Sequence, residues 1–245
     1  MMIVRRLRDL VGLASLIALC AAARADVVDQ AYVPSPSNAG TVITWSLDDG
    51  VPAWLAQSFT AGLSGQLTAV DLAVWGWATP QQDLRLQVHE VDGLTVGSLL
   101  GTAIVPAAAI PVNAFGAAFP EPGNDPVALR VDLSHLGIHV AAGSTYALAV
   151  SAGGRHPAGA GDIDWLFTQE PGDHYPGGRG MFGYSTSLQS GQLMDPLFYT
   201  PPGNFVDLGF RTYVSAVPEG STAQLAALGL LVVAAFAGRR GRPSN

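Results

Sequence analysis

The chain has 245 residues, of which 49% are hydrophobic and 13% are charged, and its formal net charge at pH 7 is −7. It contains no lysine, and between residues 26 and 216 its few arginines are outnumbered by acidic residues. Phosphate neutralisation needs a basic surface, so this composition excludes nucleic acid as an expected partner.

Residues 1–25 have the three parts of a secretory signal peptide. A basic start at residues 1–8 is followed by an apolar run at residues 10–20 and by the Ala-x-Ala pattern of Ala23 and Ala25. These parts predict export and cleavage after Ala25. The alternative, an uncleaved anchor, needs a longer apolar run to cross about 30 Å of hydrocarbon.

The only cysteine, Cys20, lies inside the predicted signal peptide. Lipidation is not expected, because a lipidated cysteine normally follows a small residue and Cys20 follows Leu19. The mature chain is therefore predicted to have no disulfide and no thiolate.

Residues 26–216 are predicted to form one domain built from strands. Apolar and polar residues alternate at 84–89 and 127–133, which gives each segment one buried face. Further strand candidates lie between Gly, Pro, Asn and Asp at 42–45, 56–60, 67–75, 146–150, 163–168 and 205–214. No long amphipathic helix interrupts them, so we expect an all-β, antiparallel two-sheet sandwich, specifically a jelly roll.

Sequence motifs predict no catalytic residues. The chain has no Gly-x-Ser-x-Gly elbow, no His-Glu-x-x-His pair and no phosphate-binding glycine loop with a lysine. His135 and His139 flank Gly137 in a segment that has the pattern of a turn and a strand, so we interpret them as surface histidines and not as zinc ligands.

Glycine-rich turns between residues 153 and 183 carry the best candidates for a ligand site. A long loop on a rigid sandwich is a usual place for binding. The candidate residues are Asp162, Asp164, Trp165, Asp173, His174, Tyr175 and Arg179.

These candidates admit several interpretations. The carboxylates of Asp162 and Asp164 are hard oxygen ligands that suit a structural Ca²⁺. They could instead serve as the acid and the base of a glycan-cleaving enzyme. The third interpretation is that both residues are present for turn geometry alone. Trp165 and Tyr175 offer flat faces to sugar rings, whereas packing in the core is the commoner use of aromatic residues in a sandwich.

Residues 217–245 are predicted to be a sorting tail. A short polar signature leads into an apolar segment, 221–238, which as a helix is about 27 Å long and only just spans a bilayer. The basic residues that follow it should stay in the cytoplasm, which leaves residues 26–218 outside. The signature and the basic end comprise Val217, Pro218, Glu219, Arg239, Arg240 and Arg242.

This tail resembles the PEP-CTERM family of sorting signals, in which a Pro-Glu-Pro signature precedes a short transmembrane helix and an arginine-rich end. Pro218 and Glu219 match the first two positions, and Gly220 stands where the family has its second proline. The resemblance implies an exosortase as processing enzyme, an inner-membrane-anchored precursor, and a bacterium that makes extracellular polysaccharide. A plain tail anchor that no enzyme recognises is the alternative.

Two phrases of the domain, at residues 56–60 and 140–148, resemble those of exported, carbohydrate-binding-module-like β-sandwiches. Together with the tail, they predict a surface or extracellular-matrix protein with a non-catalytic binding or structural domain, associated with exopolysaccharide. Apart from a structural calcium, no cofactor is expected. The alternatives are an exported glycan hydrolase or lyase that uses carboxylates, and a structural module without a small ligand.

Overall fold

A computed structural model describes most of the predicted domain. The described residues are 26–34, 41–44, 54–76, 82–112, 129–152, 163–167, 174–183, 187–193, 195–196, 198–199 and 204–216. The predicted signal peptide, the tail and its helix 221–238 lie outside them. Within the described part of the chain, no helix is long and apolar enough to span a membrane. Ala25–Ser215 forms one compact unit.

Strands dominate the described residues, whose helical segments are the two short 3-10 helices Ala107–Ala109 and Ser134–Leu136. The strands, in chain order, are β1 (Asp26–Tyr32), β2 (Thr41–Thr44), β3 (Trp54–Thr60), β4 (Gly65–Leu72), β5 (Val74–Gly76), β6 (Leu84–Asp92), β7 (Thr95–Val105), β8 (Leu129–Asp132), β9 (His139–Val140), β10 (Thr145–Ala152), β11 (Ile163–Phe167), β12 (Gly180–Gly183), β13 (Asp195–Pro196), β14 (Phe198–Tyr199), β15 (Asn204–Phe205) and β16 (Phe210–Ala216).

The strands form two larger antiparallel sheets and two small ones. Sheet I has the order β1-β16-β4-β8, with β9 also paired to β4, and sheet II has the order β13-β12-β3-β10-β6-β7. The small sheets are β2-β11-β5 and β14-β15. The prediction of an all-β protein with antiparallel sheets is therefore confirmed.

One hydrophobic core is shared by the two larger sheets. Leu67 and Phe210 of sheet I belong to the same buried cluster as Phe59 and Leu148 of sheet II. The rings of Phe59 and Phe210 lie 6.0 Å apart between centroids. Because successive side chains of a strand point to opposite faces, the residue after Leu148 faces away from this core. The arrangement is thus sandwich-like.

The two phrases that resemble carbohydrate-binding modules lie side by side in sheet II. Strand β3 pairs with β10 so that Thr60 is opposite Thr145 and Phe59 is opposite Tyr146. The turn before β10 is fixed by a hydrogen bond from the Gly143 N–H to the Ala61 carbonyl at 2.7 Å, and Gly143 has a φ of 82°. This left-handed conformation favours glycine.

Candidate functional site

The predicted calcium or acid–base pair falls largely outside the described structure. Asp162 and Asp173 are not among the described residues, and of Asp164 only the backbone is described, in β11 opposite Thr44 and Trp75. Both interpretations of Asp162 and Asp164 therefore stay predictions. Among the described residues, no group of three or more His, Cys, Asp or Glu side chains is placed to hold a metal ion.

Trp165 is a core residue and offers no stacking face to a sugar. Its side chain is 1% exposed, and its Nε1–H donates a hydrogen bond of 2.8 Å to the Gly209 carbonyl. Burial of the ring with its one polar group paired is how a tryptophan packs in a sandwich core. This corrects its interpretation as a ligand platform in favour of core packing.

Tyr175 is buried in the same core. Its hydroxyl donates to the Gln30 Oε1 at 3.0 Å, and its ring meets the ring of Phe210 edge-on at 5.2 Å. Burial raises the pKa of the Tyr175 phenol, and the nearby Asp29 adds to this effect. The phenol therefore stays protonated at neutral pH and serves as a hydrogen-bond donor between the loop and β1, so Tyr175 is likewise not an exposed platform.

The residue that positions the candidate loop is Asp207, which lies before β16. Its carboxylate is fully buried and its Oδ2 accepts the backbone N–H groups of His174 at 3.2 Å and Tyr175 at 3.0 Å. The Gln57 side chain completes the arrangement, since its Oε1 accepts the Leu208 N–H at 2.7 Å. A buried carboxylate needs such partners, so Asp207 organises the loop that carries His174 and Tyr175.

The loop then lies directly on β3. The Ser58 Oγ accepts the Arg179 N–H at 3.0 Å, and the Ser58 N–H donates to the Arg179 carbonyl at 3.0 Å. A Cβ at Gly178 would lie 1.8 Å from the Ser58 carbonyl oxygen, so only glycine fits there. The backbone of Arg179 is therefore fixed, while its side chain is partly exposed.

Asp29 holds β1 to the turn between β3 and β4. Its Oδ1 accepts the N–H groups of Gly62 at 3.0 Å and Leu63 at 2.6 Å, at a point where the register of β1 and β16 shifts. Burial raises the pKa of Asp29, although these two backbone hydrogen bonds lower it. This carboxylate, too, is used to join strands.

An Asp–Arg–Tyr cluster lies on sheet I, on the face opposite to the core. The Tyr213 hydroxyl donates to the Asp71 Oδ2 at 2.6 Å, and this hydrogen bond raises the pKa of Tyr213. The Arg130 guanidinium lies 4.2 Å from the Tyr213 ring centroid and 3.7 Å from the Asp71 Oδ1, with 52% of its side chain exposed. An arginine held flat by an aromatic ring and a carboxylate is a preformed hydrogen-bond donor for anions or hydroxyls.

Sequence reasoning identified none of Asp29, Asp71, Arg130, Asp207 and Tyr213 as site residues. The only signal for Asp207 is a lone carboxylate between the apolar Val206 and Leu208. The Asp71 cluster joins three strands, β4, β8 and β16, that are far apart in the chain, so no local pattern could bring it together.

The two histidines around Gly137 lie on the surface, as predicted. His135 is in the 3-10 helix Ser134–Leu136, His139 begins β9, and both side chains are exposed. The Nδ1 of His139 is 2.9 Å from the Gly137 carbonyl oxygen, and the φ of Gly137 is 63°. A His-x-x-x-His zinc pair needs both rings on one face of one helix. Here the turn at Gly137 places His135 and His139 in two different elements.

No protein-family model matches the chain, and no curated protein matches it.

Proposed function

We propose that this chain is an exported protein, sorted through its tail to the cell surface or extracellular matrix, whose β-sandwich is a non-catalytic module that associates with exopolysaccharide. One observation supports it most strongly. Strand β1 begins at Asp26, the first residue after the predicted cleavage site, and β16 ends at Ala216, one residue before the predicted signature. Removal of both predicted terminal segments would therefore leave every described strand in place.

We further propose the jelly-roll topology, on the strand order of the two sheets. If β1, β3, β4, β6, β7, β8, β10 and β16 are counted as strands one to eight, sheet I has the order 1-8-3-6 and the central part of sheet II has the order 2-7-4-5. A jelly roll has eight strands that form two Greek keys and two four-stranded sheets, and these strand orders are the ones it has. Strand β12 adds to sheet II beside β3.

Among the described residues, the surface that fits a polysaccharide best is the cluster of Asp71, Arg130 and Tyr213. The domain is acidic overall, so an exposed arginine that is already ordered is the group that would attract the carboxylates of an acidic glycan or donate to its hydroxyls. The contacts of Arg130 with Asp71 and Tyr213 already order its side chain, so less side-chain entropy is lost when a ligand binds.

The test is retention of the full-length protein, in detergent, on immobilised exopolysaccharide of the producing cells. Arg130→Ala should reduce retention about tenfold, in the range of one lost charge-assisted contact. Arg85→Ala, an arginine on sheet II, is the matched control and should bind like the wild type. Equal retention of both variants, or no retention of the wild type, would remove the polysaccharide part of the proposal.

A further inference from the structure

A second, smaller apolar cluster lies on the outer face of sheet II, away from the main core. Its floor consists of buried apolar side chains of three adjacent strands. These are Trp54 and Ala56 of β3, Ala147 and Ala149 of β10, and Met181 of β12. Val96 of β7 and Leu188 complete the cluster. The outer face of this sheet is therefore covered apolar surface.

Residues 187–193, here called the strap, close this cluster. Leu188 is the buried anchor of the strap, at 1% exposed, whereas Leu193 at its end is 70% exposed. The strap is tied to the hairpin of β6 and β7 by two backbone hydrogen bonds: the Gly191 N–H donates to the Val96 carbonyl at 2.7 Å, and the Val96 N–H donates to the Gln192 carbonyl at 3.0 Å. The Ser190 hydroxyl also donates to the Gly97 carbonyl. The Leu188 side chain, these three hydrogen bonds and the antiparallel bridge between Leu193 and Thr95 thus hold the strap on the cluster.

A histidine of this hairpin lies on the same face of the sheet. His89 of β6 is opposite Ala147 of β10, and it is 1% exposed. Among the described residues, neither of its ring nitrogens has a hydrogen-bond partner. Burial lowers the pKa of His89, and the backbone of Gly97 opposes this effect. The Gly97 backbone therefore favours the protonated His89 ring, and the carbonyl of the same residue accepts the Ser190 hydroxyl.

The described strands around His89 and the strap offer no compensating charge. Strands β3, β7 and β12 and the strap contain no ionisable residue, and the one such residue of β10, Tyr146, faces the main core. On β6 itself, Arg85 is on the same face as His89 but four residues before it in the chain, with Gln87 between them on that face. The acidic Glu90 and Asp92 of β6 are exposed. Among the described residues, a proton on the His89 ring would thus place a charge without an ionic partner beside an apolar cluster, which disfavours the closed state of the strap when the ring is protonated.

We propose that the strap is an acid-released cover, and that protonation of His89 detaches residues 187–193 from the hairpin and exposes the apolar floor of sheet II. The protonated imidazole competes with Ser190 for the Gly97 carbonyl and gains hydration when the strap leaves. Above the ordinary histidine pKa of 6.5, both states hold His89 neutral and the opening equilibrium does not depend on pH. Below it, the open state takes up the proton more readily than the closed state, whose His89 pKa is lowered, so the open population rises by up to about tenfold per pH unit.

Amide hydrogen exchange of the full-length protein in detergent tests this proposal. The readout is the protection of the Val96 and Gly191 amides relative to the core amide of Leu148, which cancels the intrinsic effect of pH on exchange. Between about pH 7.5 and about pH 5, the relative protection in the wild type should fall, by up to about tenfold for each pH unit below 6.5. His89→Gln should abolish this fall, whereas His135→Gln, a change at an exposed histidine, should leave it intact. A pH-independent wild type, or the same fall in His89→Gln, would overturn the proposal.

A second variant decides the question if His89→Gln does not fold. Leu188→Ala removes the buried anchor of the strap and leaves His89 in place. It should abolish the protection of Val96 and Gly191 at every pH and return the titration of the His89 ring, followed by NMR, to the ordinary range around 6.5. An unchanged His89 titration in this variant would show that the strap does not cover the ring, which also overturns the proposal.

Discussion

Asp26 lies opposite Ser215 in the antiparallel pair of β1 and β16. The first residue after the predicted signal-peptide cleavage site is therefore a direct strand neighbour of a residue next to the predicted sorting tail. The first and the last strand of the domain are therefore paired with each other in sheet I. Since this pairing uses residues of the domain alone, we expect it to form in a precursor that still carries both predicted terminal segments.

This relationship predicts that folding does not depend on signal cleavage. Ala25→Arg, which blocks cleavage, should give a full-length precursor whose domain resists limited proteolysis as well as the mature protein does. Removal of residues 26–32 should instead destroy that resistance, because it deletes β1 and the Gln30 partner of Tyr175. A protease-sensitive Ala25→Arg precursor would contradict the prediction.

Asp207 is expected to be a large contributor to stability. Asp207→Ala leaves the buried N–H groups of His174 and Tyr175 without their acceptor, so the free energy of unfolding should fall by about 3 kcal/mol. Asp207→Asn keeps one acceptor oxygen and should lose less. Urea unfolding followed by circular dichroism measures both values, and an equal loss in the two variants would exclude the hydrogen bonds as the cause.

Asp29 should make a pH-dependent contribution. Because burial raises the pKa of Asp29 above 3.8, its contribution to stability is complete below that value and declines as the pH rises through the folded-state pKa. Asp29→Asn keeps an acceptor for Gly62 and Leu63 but cannot ionise. The stability of the wild type relative to Asp29→Asn should therefore decrease as the pH rises above 3.8. Thermal unfolding over this range measures it, and a relative stability that increases with pH would have the wrong sign.

Trp165 should matter for stability and not for ligand binding. Trp165→Phe removes the hydrogen bond to the Gly209 carbonyl and should cost about 1 to 3 kcal/mol in the free energy of unfolding. Retention on exopolysaccharide should be unchanged under conditions in which the variant is folded. Loss of retention without loss of stability would restore Trp165 as a ligand residue.

Several strands that contribute to the main core were predictable from the sequence. The alternation at residues 84–89 and 127–133 corresponds to β6 and β8, and the segment 146–150 lies within β10. In each, the apolar side chains on the core face recur with the two-residue period of a strand. The local sequence pattern therefore predicts which face of the strand packs against the core.

Strands β1 and β7 were not predicted, for two different reasons. Strand β1 is an edge strand whose Val27 and Val28 are both exposed, so its apolar residues do not mark a core face. Strand β7 contains Gly97 and Gly101, and its register against β6 shifts near His89, which interrupts the alternation. In both cases the pairing partner stabilises the strand, and a single sequence does not show the partner.

Of the candidate loop at residues 153–183, the structure describes β11, β12 and the non-strand residues 174–179. The roles of these described residues depend on distant partners. Tyr175 is buried because Gln30 and Phe210 meet it, and His174 is positioned by Asp207. These partners lie far from the loop in sequence, and their pairing follows from the sheet order.

The most direct test of the central claim is the intact mass and cell fraction of the mature protein, produced in hosts with and without the sorting protease. We expect a chain that begins at Asp26 in both hosts, lacks the tail only where the protease is present, and then leaves the membrane fraction. A chain that keeps residues 217–245 in both hosts and stays with the membrane would contradict tail-directed sorting and leave a simple anchored sandwich.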